Sequence, residues 1–538
     1  QGSILFDTSY YDCLVVTIPD DELFNKFLLE VTKYRNKVPQ SIVEGRKSYN
    51  GWLRFHDKDV GLALLYANIN SKSILIRVHP SIYEEVFEHT KEKINSLDSS
   101  VIYDCRYSLG SLEISGPIAI KTISMVLHLS NVSEDIKNTW FELTKINDSG
   151  IVPVGTTFAF NIRDPRLWKN PSDVPANSKD ISNITVNQLI IDLSTKNLVE
   201  QTSLEKLLSP DGRYNSYNNQ LSIKNISREF GKVAATSKSL GKEIIDKTEF
   251  PILITKTCHN TWGVIAPWFW IQPIWLMATK VTKIKVGGVR QRAQLNFENE
   301  TPTYPQDYPW LRDGWQYNET MGKLHEDKYK KVPKHHKQDH MQDYQDISYL
   351  NPFNCGWTTL RNTHYIKKLY NLTSEQLQSD TNEFAQFDDK TLNRIVTNYH
   401  DLRQVVKSLD RPMESIPIEP YDKFNEFHEK FINDDYTIDT LEQAETTKLP
   451  IIQINLKIVN DGTIKDNARI YSYDTVKEKH DNVDLSEVTG FVTSGSLNLN
   501  SGVHQGIGSI IAQKWTQPLF YIRNVGETNF YLVECKII

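Results

Sequence analysis

The 538 residues carry 61 basic and 67 acidic side chains, giving a net charge of −6 and a pI near 6.2, with 39% hydrophobic and 24% charged content. That balance describes a folded globular chain long enough for several domains; it excludes a disordered protein and one that binds nucleic acid through overall basicity, so any such binding must be local. Five scattered cysteines (Cys13, Cys105, Cys258, Cys355 and Cys535) with no C-x-x-C exclude a disulfide framework and a cysteine-built zinc site, and suit a reducing compartment.

The chain opens Gln1-Gly2-Ser3-Ile4 with neither methionine nor leader, which reads as a piece of something longer. Asp12–Ile18 is a β-rich run, and Asp20 can cap a helix that places Leu23, Phe27, Val31 and Tyr34 on one face. The polar stretch 36–50 reads as a loop. A strand is expected at Ser73–His79, then a helix from Pro80-Ser81 with Ile82, Val86, Thr90 and Ile94 in register. Strand-like runs follow at Val101–Tyr107 and Leu112–Ile114, and Gly116-Pro117 opens another helix. This order predicts an α/β domain over 1–150 built on split βαβ-type sheets. A central domain spans 151–365, beginning with a strand that Asp164-Pro165 must break. The segment 366–445 is acidic and reads as a helical insertion or linker. The β-rich end, 446–538, forms the last domain, with hairpins expected at Asp461-Gly462 and near Gly526. The fold class is therefore α+β.

One stretch stands apart. From Phe250 to Phe297 there is no Asp or Glu, yet it holds Lys256, Lys280, Lys283, Lys285, Arg290 and Arg292, with Trp262, Trp268, Trp270 and Trp275. The uncharged part, 262–278, is shorter than the roughly 20 apolar residues of a membrane-spanning helix and contains Pro267 and Pro273, so it reads as a buried strand and turn. In the basic part, alternation puts Thr282, Ile284 and Val286 on one strand face and Lys283 and Lys285 on the other. Gly287-Gly288 permit a bend or close approach, and Arg290 and Arg292 continue the positive line. Such a ribbon suits an RNA backbone; an exposed strand with ordinary charges is the competing reading. A weaker basic loop carries Lys328, Lys330, Lys331, Lys334 and Lys337.

Catalytic chemistry finds no support. His325, His335, His336 and His340 sit in a Pro333-broken, lysine-rich stretch that offers no firm metal frame. The pairs Asp343/Asp346 and Asp434/Asp435 lack a signal for an apolar pocket. Ser-Lys-Ser-Leu-Gly-Lys at 237–242 lacks phosphate-loop spacing, and G-x-S-x-G and H-E-x-x-H are absent.

The run TWGVIAPWFWIQPIWLMATKVTKIKVGGVRQ, with its Trp262-Gly263 and Gly287-Gly288, followed by Pro305-Gln306-Asp307-Tyr308-Pro309, resembles the signature of the largest protein subunit of eukaryotic nuclear ribonuclease P and ribonuclease MRP. ILFDTSYYDCLVV, LEISGP, GTTFAFNIRDPR, LNPFNCGW, GFVTSGSLNLNSGVHQGIGSI and FYIRNVGETNFYLVECKI resemble further blocks of that family in the same order. The family's basic amino-terminal region is missing. The VTSG…GIG segment is also similar to the terminal barrel of folate-dependent aminomethyltransferases. That likeness implies an aminomethyltransferase-like architecture with a C-terminal antiparallel β-barrel, and leaves a one-carbon transferase as the alternative function.

The main resemblance implies a noncatalytic, RNA-binding scaffold in the nucleus and nucleolus. It would hold ribonuclease P RNA or ribonuclease MRP RNA and bridge smaller protein subunits. The RNA would carry catalysis with Mg2+, on precursor tRNA and rRNA, and the chain itself would bind no cofactor or metal and meet no membrane. Lys280, Lys283, Lys285, Arg290 and Arg292 would touch phosphates, joined by Arg163 and Arg166 of the Asp-Pro-Arg segment. Trp262, Gly263, Asp307 and Pro309 would shape the motif.

Overall fold

The computed structural model describes residues 2–146, 149–171, 183–236, 248–258, 260–336, 349–377, 396, 398–409, 415–421 and 438–538. Lys337, His340, the 237–242 segment and the Asp343/Asp346 and Asp434/Asp435 pairs lie outside the described residues. The chain forms two compact units, Gln1–Arg292 and Ala293–Ile538.

The first unit holds twelve strands: β1 (Ser3–Asp7), β2 (Asp12–Thr17), β3 (Tyr49–Phe55), β4 (Lys58–Asn68), β5 (Ser73–Val78), β6 (Val101–Asp104), β7 (Leu109–Ser115), β8 (Leu129–Ser130), β9 (Thr157–Ile162), β10 (Phe250–Cys258), β11 (Thr261–Pro267) and β12 (Ile284–Gly287). They form a seven-stranded sheet in the order β12-β1-β7-β11-β10-β9-β8 and a five-stranded sheet in the order β3-β4-β5-β2-β6. Every pair in the smaller sheet is antiparallel; β5 and β6, joined by the helix Pro80–Asn95, therefore run parallel with β2 between them, which is the expected split βαβ arrangement. The helix Asp21–Val31 starts where the sequence requires, with Asp20 accepting the Leu23 N–H at 2.9 Å, and buries Phe24, Phe27, Leu28 and Val31. The helix Pro80–Asn95 follows β5, with Ile82, Val86, Thr90 and Ile94 buried.

Two expected boundaries fail for physical reasons. Residue 150 falls inside the larger sheet, because β7 from before it pairs with β11 from after it, Trp262 lying opposite Ile114. Residue 365 falls inside the helix Trp357–Leu369. The 36–50 loop contains a short helix, Gln40–Val43.

The second unit contains β13 (Ile418–Pro420), β14 (Leu449–Ile458), β15 (Arg469–Ser472), β16 (Val488–Asn498), β17 (Val503–Ile511), β18 (Leu519–Arg523) and β19 (Tyr531–Ile537). The order β14-β17-β16-β15-β18-β19 returns to β14 through a β14–β19 pairing, closing a six-stranded antiparallel barrel. Closure leaves these six strands without a free hydrogen-bonding edge. Ile454, Ile470, Val492, Ile510, Phe520, Ile522 and Val533 belong to the cluster that fills it. The hairpin at Gly526 joins β18 and β19. The one expected at Asp461-Gly462 does not form, since β14 takes its partners from 503–511 and 531–537 instead. Among the described residues no helix is long and apolar enough to cross a membrane.

Candidate functional site

The tryptophan block is a strand followed by a helix, where the sequence suggested a strand and turn. β11 is fully buried, and Pro267 caps the helix Trp268–Ala278, which buries Trp270, Ile271, Ile274 and Met277. Pro273 lies inside this helix and removes the hydrogen bond to the carbonyl four residues back. That carbonyl, Phe269 O, accepts Gln220 Nε2 at 3.0 Å instead, which is how the helix tolerates the proline. Trp262 and Trp270 are fully buried. Trp270 stacks on Phe250 with ring centroids 4.0 Å apart and donates through its indole N–H to Ser216 O at 3.2 Å. These two rings are core.

The helix ends in a turn that delivers the basic segment to the edge of the larger sheet. β12 is only four residues long and runs parallel to β1, with Ile4 opposite Lys285 and Phe6 opposite Gly287. Lys280, Lys283, Lys285 and Arg290 are exposed, and none of the ion pairs formed among the described residues involves them. Lys280 Nζ donates to Lys169 O at 3.2 Å. The expected alternation holds only in part: Ile284 packs on the core, whereas Val286 is 58% exposed. The two glycines differ. A Cβ on Gly287 would sit 2.4 Å from Phe6 Cε1 and 2.7 Å from Ile4 Cγ2, so β1 and β12 can pair only with glycine there. Gly288 donates its N–H to Gln291 Oε1 at 3.0 Å, which satisfies a donor at the start of the helix Val289–Glu298. Gly287→Ala is therefore expected to cost about 2 kcal/mol by overpacking, measured by denaturant unfolding, while Gly288→Ala costs less.

Arg290 and Arg292 lie on this helix and do not extend the strand. Arg292 is spent inside the unit. Its guanidinium meets Glu113 Oε2 at 2.8 Å and donates to the hydroxyls of Tyr10 at 3.0 Å and Tyr11 at 2.9 Å. Glu113 also pairs with Arg77 at 3.3 Å, and Arg77 lies over the Tyr11 ring. The expected phosphate contact at Arg292 is thus a member of a buried Arg–Glu–Arg triad.

The Asp-Pro-Arg segment is similarly committed. Buried Asp164 accepts from Arg166 Nη2 at 2.7 Å and from the Arg166 N–H at 2.9 Å, and Arg166 also donates to Leu221 O at 2.9 Å. Arg163 is half-buried. Beside it His128 stacks on Trp168 at 3.7 Å, and burial, then the Arg163 charge, push the imidazole down to about 4.

In the second unit, Lys328, Lys330 and Lys331 occupy the last turn of the helix Arg312–Lys331, where a loop was expected. Cations there complement the helix dipole, and Lys330 is paired with Glu326 at 2.7 Å. Lys334 is exposed beyond the helix. Asp307 is 1% exposed, and both of its oxygens are engaged. Oδ1 accepts the hydroxyls of Thr493 and Ser494 at 2.6 Å each, and Oδ2 accepts the Thr303 N–H at 2.7 Å. Gln453 Nε2 donates to the Asp307 carbonyl at 2.5 Å. With Pro309 buried beside it, the Pro-Gln-Asp-Tyr-Pro motif is a clasp onto the barrel strands β14 and β16. Burial raises the Asp307 carboxyl to about 6 against the pull of its two hydroxyl partners.

Comparison with known proteins matches residues 261–357 to the POPLD (NUC188) domain. The ribonucleases P/MRP protein subunit POP1 of Saccharomyces cerevisiae is 27% identical over 99% of this chain and 67% of its own length. The corresponding subunit pop1 of Schizosaccharomyces pombe is 21% identical over 98% of this chain and 67% of its own length. A crystal structure of the glycine cleavage system aminomethyltransferase T from Bartonella henselae aligns with a TM-score of 0.43 and 9% identity, covering 99% of this chain and 84% of that one. In sequence, from its first strand to its last, this chain resembles the protein subunit POP1 of ribonucleases P/MRP.

Proposed function

We propose that the chain is a noncatalytic scaffold of a ribonuclease P/MRP-type particle of the nucleus and nucleolus, binding the particle's RNA and bridging smaller protein subunits. In this reading the RNA, with its Mg2+, performs the cleavage that removes tRNA 5′ leaders or processes rRNA. The observation that carries the reading is the agreement with POP1 subunits along the whole chain. The unpaired cations on β12 and its flanks support an RNA-facing role for that edge. Lys283 and Lys285, with Lys280 and Arg290, form a short positive rail free of carboxylates, as binding phosphates within a net-negative protein requires. Lys334 and Lys328 are secondary candidates; Arg292 and Arg166 are not, because Glu113 and Asp164 already engage their guanidinium groups.

Sequencing the RNA that co-purifies with the chain tests the assignment: a ribonuclease P or MRP RNA is the expected result, and its absence from an RNA-competent preparation overturns it. The rail is tested separately. Lys283→Glu with Lys285→Glu should weaken binding of that RNA at least about tenfold at moderate salt and flatten the salt dependence by roughly two counterions. An unchanged affinity and slope in the double variant sink the rail and leave the assignment standing.

A further inference from the structure

We infer that His56, His89 and Glu92 form a binding site for a zinc-type divalent cation on the first unit. One ligand atom from each of the three lies within 4.8 Å of the other two. Glu92 Oε2 stands 3.7 Å from His56 Nε2 and 3.9 Å from His89 Nδ1. These separations are too long for hydrogen bonds. They approach the ligand–ligand edge of about 3.4 Å that follows from zinc–ligand bonds of about 2.0–2.1 Å in a tetrahedron. Small side-chain rotations close the difference, and water would complete the coordination.

The surroundings have the features of a supported site. The other ring nitrogen of His89, Nε2, faces Glu85 Oε1 at 3.9 Å, one helical turn away. A carboxylate hydrogen-bonded behind a ligating imidazole is the usual outer partner, and a side-chain rotation of Glu85 would bring it into that reach. Phe55 stacks on the same ring at 5.3 Å and 24°, which restrains its orientation. His56 arrives from a different element. Phe55 pairs with Lys58, so His56-Asp57 is a two-residue hairpin loop, and both residues have left-handed φ angles of 50° and 59°. Asn or Gly fits such a turn better. The chain instead places an imidazole where the tip of the β3–β4 hairpin reaches the helix Pro80–Asn95. A bound cation would tie the hairpin to that helix. His56 and Glu92 are exposed, so the ion would exchange readily.

The test uses the full chain without a histidine tag, titrated with Zn2+ and with Co2+ at neutral pH. One equivalent should bind with a rise in melting temperature, and the cobalt spectrum should lack thiolate charge-transfer bands, which separates this site from the exposed Cys258. His89→Gln should weaken binding at least about 100-fold, and the outer-partner variant Glu85→Gln about tenfold. His56→Asn, which suits the turn, should fold as stably as the parent without metal but lose the metal-dependent shift. No stoichiometric binding, a thiolate-type spectrum, or parental affinity in His56→Asn would each overturn the assignment.

Discussion

Glu113→Ala is expected to cost about 4 kcal/mol of stability, the largest effect of any single substitution considered in the first unit. Glu113 lies on β7 between β1 and β11, and its carboxylate is the shared counter-ion of two arginines. The side chains of Arg77 and Glu113 are each 6% exposed, so removing the carboxylate leaves a desolvated guanidinium with no counter-charge. Arg292, at 23%, can turn outward and relieve part of the penalty. A double-mutant cycle with Arg292→Met measures the coupling: once Glu113 is gone, loss of Arg292 should cost little more. If Arg292→Ala instead leaves unfolding unchanged and acts only on RNA affinity, Arg292 belongs to the rail and the triad is wrong.

Asp307→Ala should destabilise the second unit by about 3 kcal/mol, because the Thr303 N–H and two hydroxyls lose their acceptor in a buried place. Its titration gives a second, more selective signature. Burial holds the folded carboxyl near 6, above its ordinary value of 3.8. The folded state therefore binds the proton more tightly than the unfolded state, and this residue's contribution to stability rises as pH falls through the window between the two values. Between pH 7 and pH 5 the gain is about 1 kcal/mol relative to Asp307→Asn, which cannot titrate. Other carboxylates, such as Glu487 with its lowered pKa beside Lys367, respond in the opposite direction. The comparison with Asp307→Asn, by denaturant midpoints at the two pH values, isolates the one residue. Parallel pH profiles would show that Asp307 is not the buried acid described here.

The sequence revealed local features and concealed distant ones. Asp20 as a cap and the register of Ile82, Val86, Thr90 and Ile94 were legible because both depend on spacing within a few residues. The solvent exposure of Lys283 and Lys285 was legible from charge alone. The β3–β4 hairpin was not, since His56-Asp57 carries no Asn-Gly signal. The Trp268–Ala278 helix was hidden by its own apolarity, which gives no face to recognise, and by Pro273, whose orphaned carbonyl is rescued by a residue 49 positions away. Asp461-Gly462 misled because a strong turn signal says nothing about which strands a barrel will pair. Arg292 looked free because its counter-charge, Glu113, lies on another strand, and the His56, His89 and Glu92 cluster escaped notice for the same reason. The Asp307 motif was visible as a pattern, while its work as a clasp needed the barrel to be seen.

The pairing of Ser3–Asp7 with Ile284–Gly287 has one more implication. The cations at 283 and 285 are held in line by residues from the opposite end of the unit, a contact of very high sequence separation that forms slowly. A synthetic peptide covering 280–292 would carry the charges without the geometry, and a nascent chain would pass through the same condition. On the function proposed above, display of the rail is thereby coupled to completion of the first unit, so that RNA would meet these lysines in place only on a subunit that has finished folding.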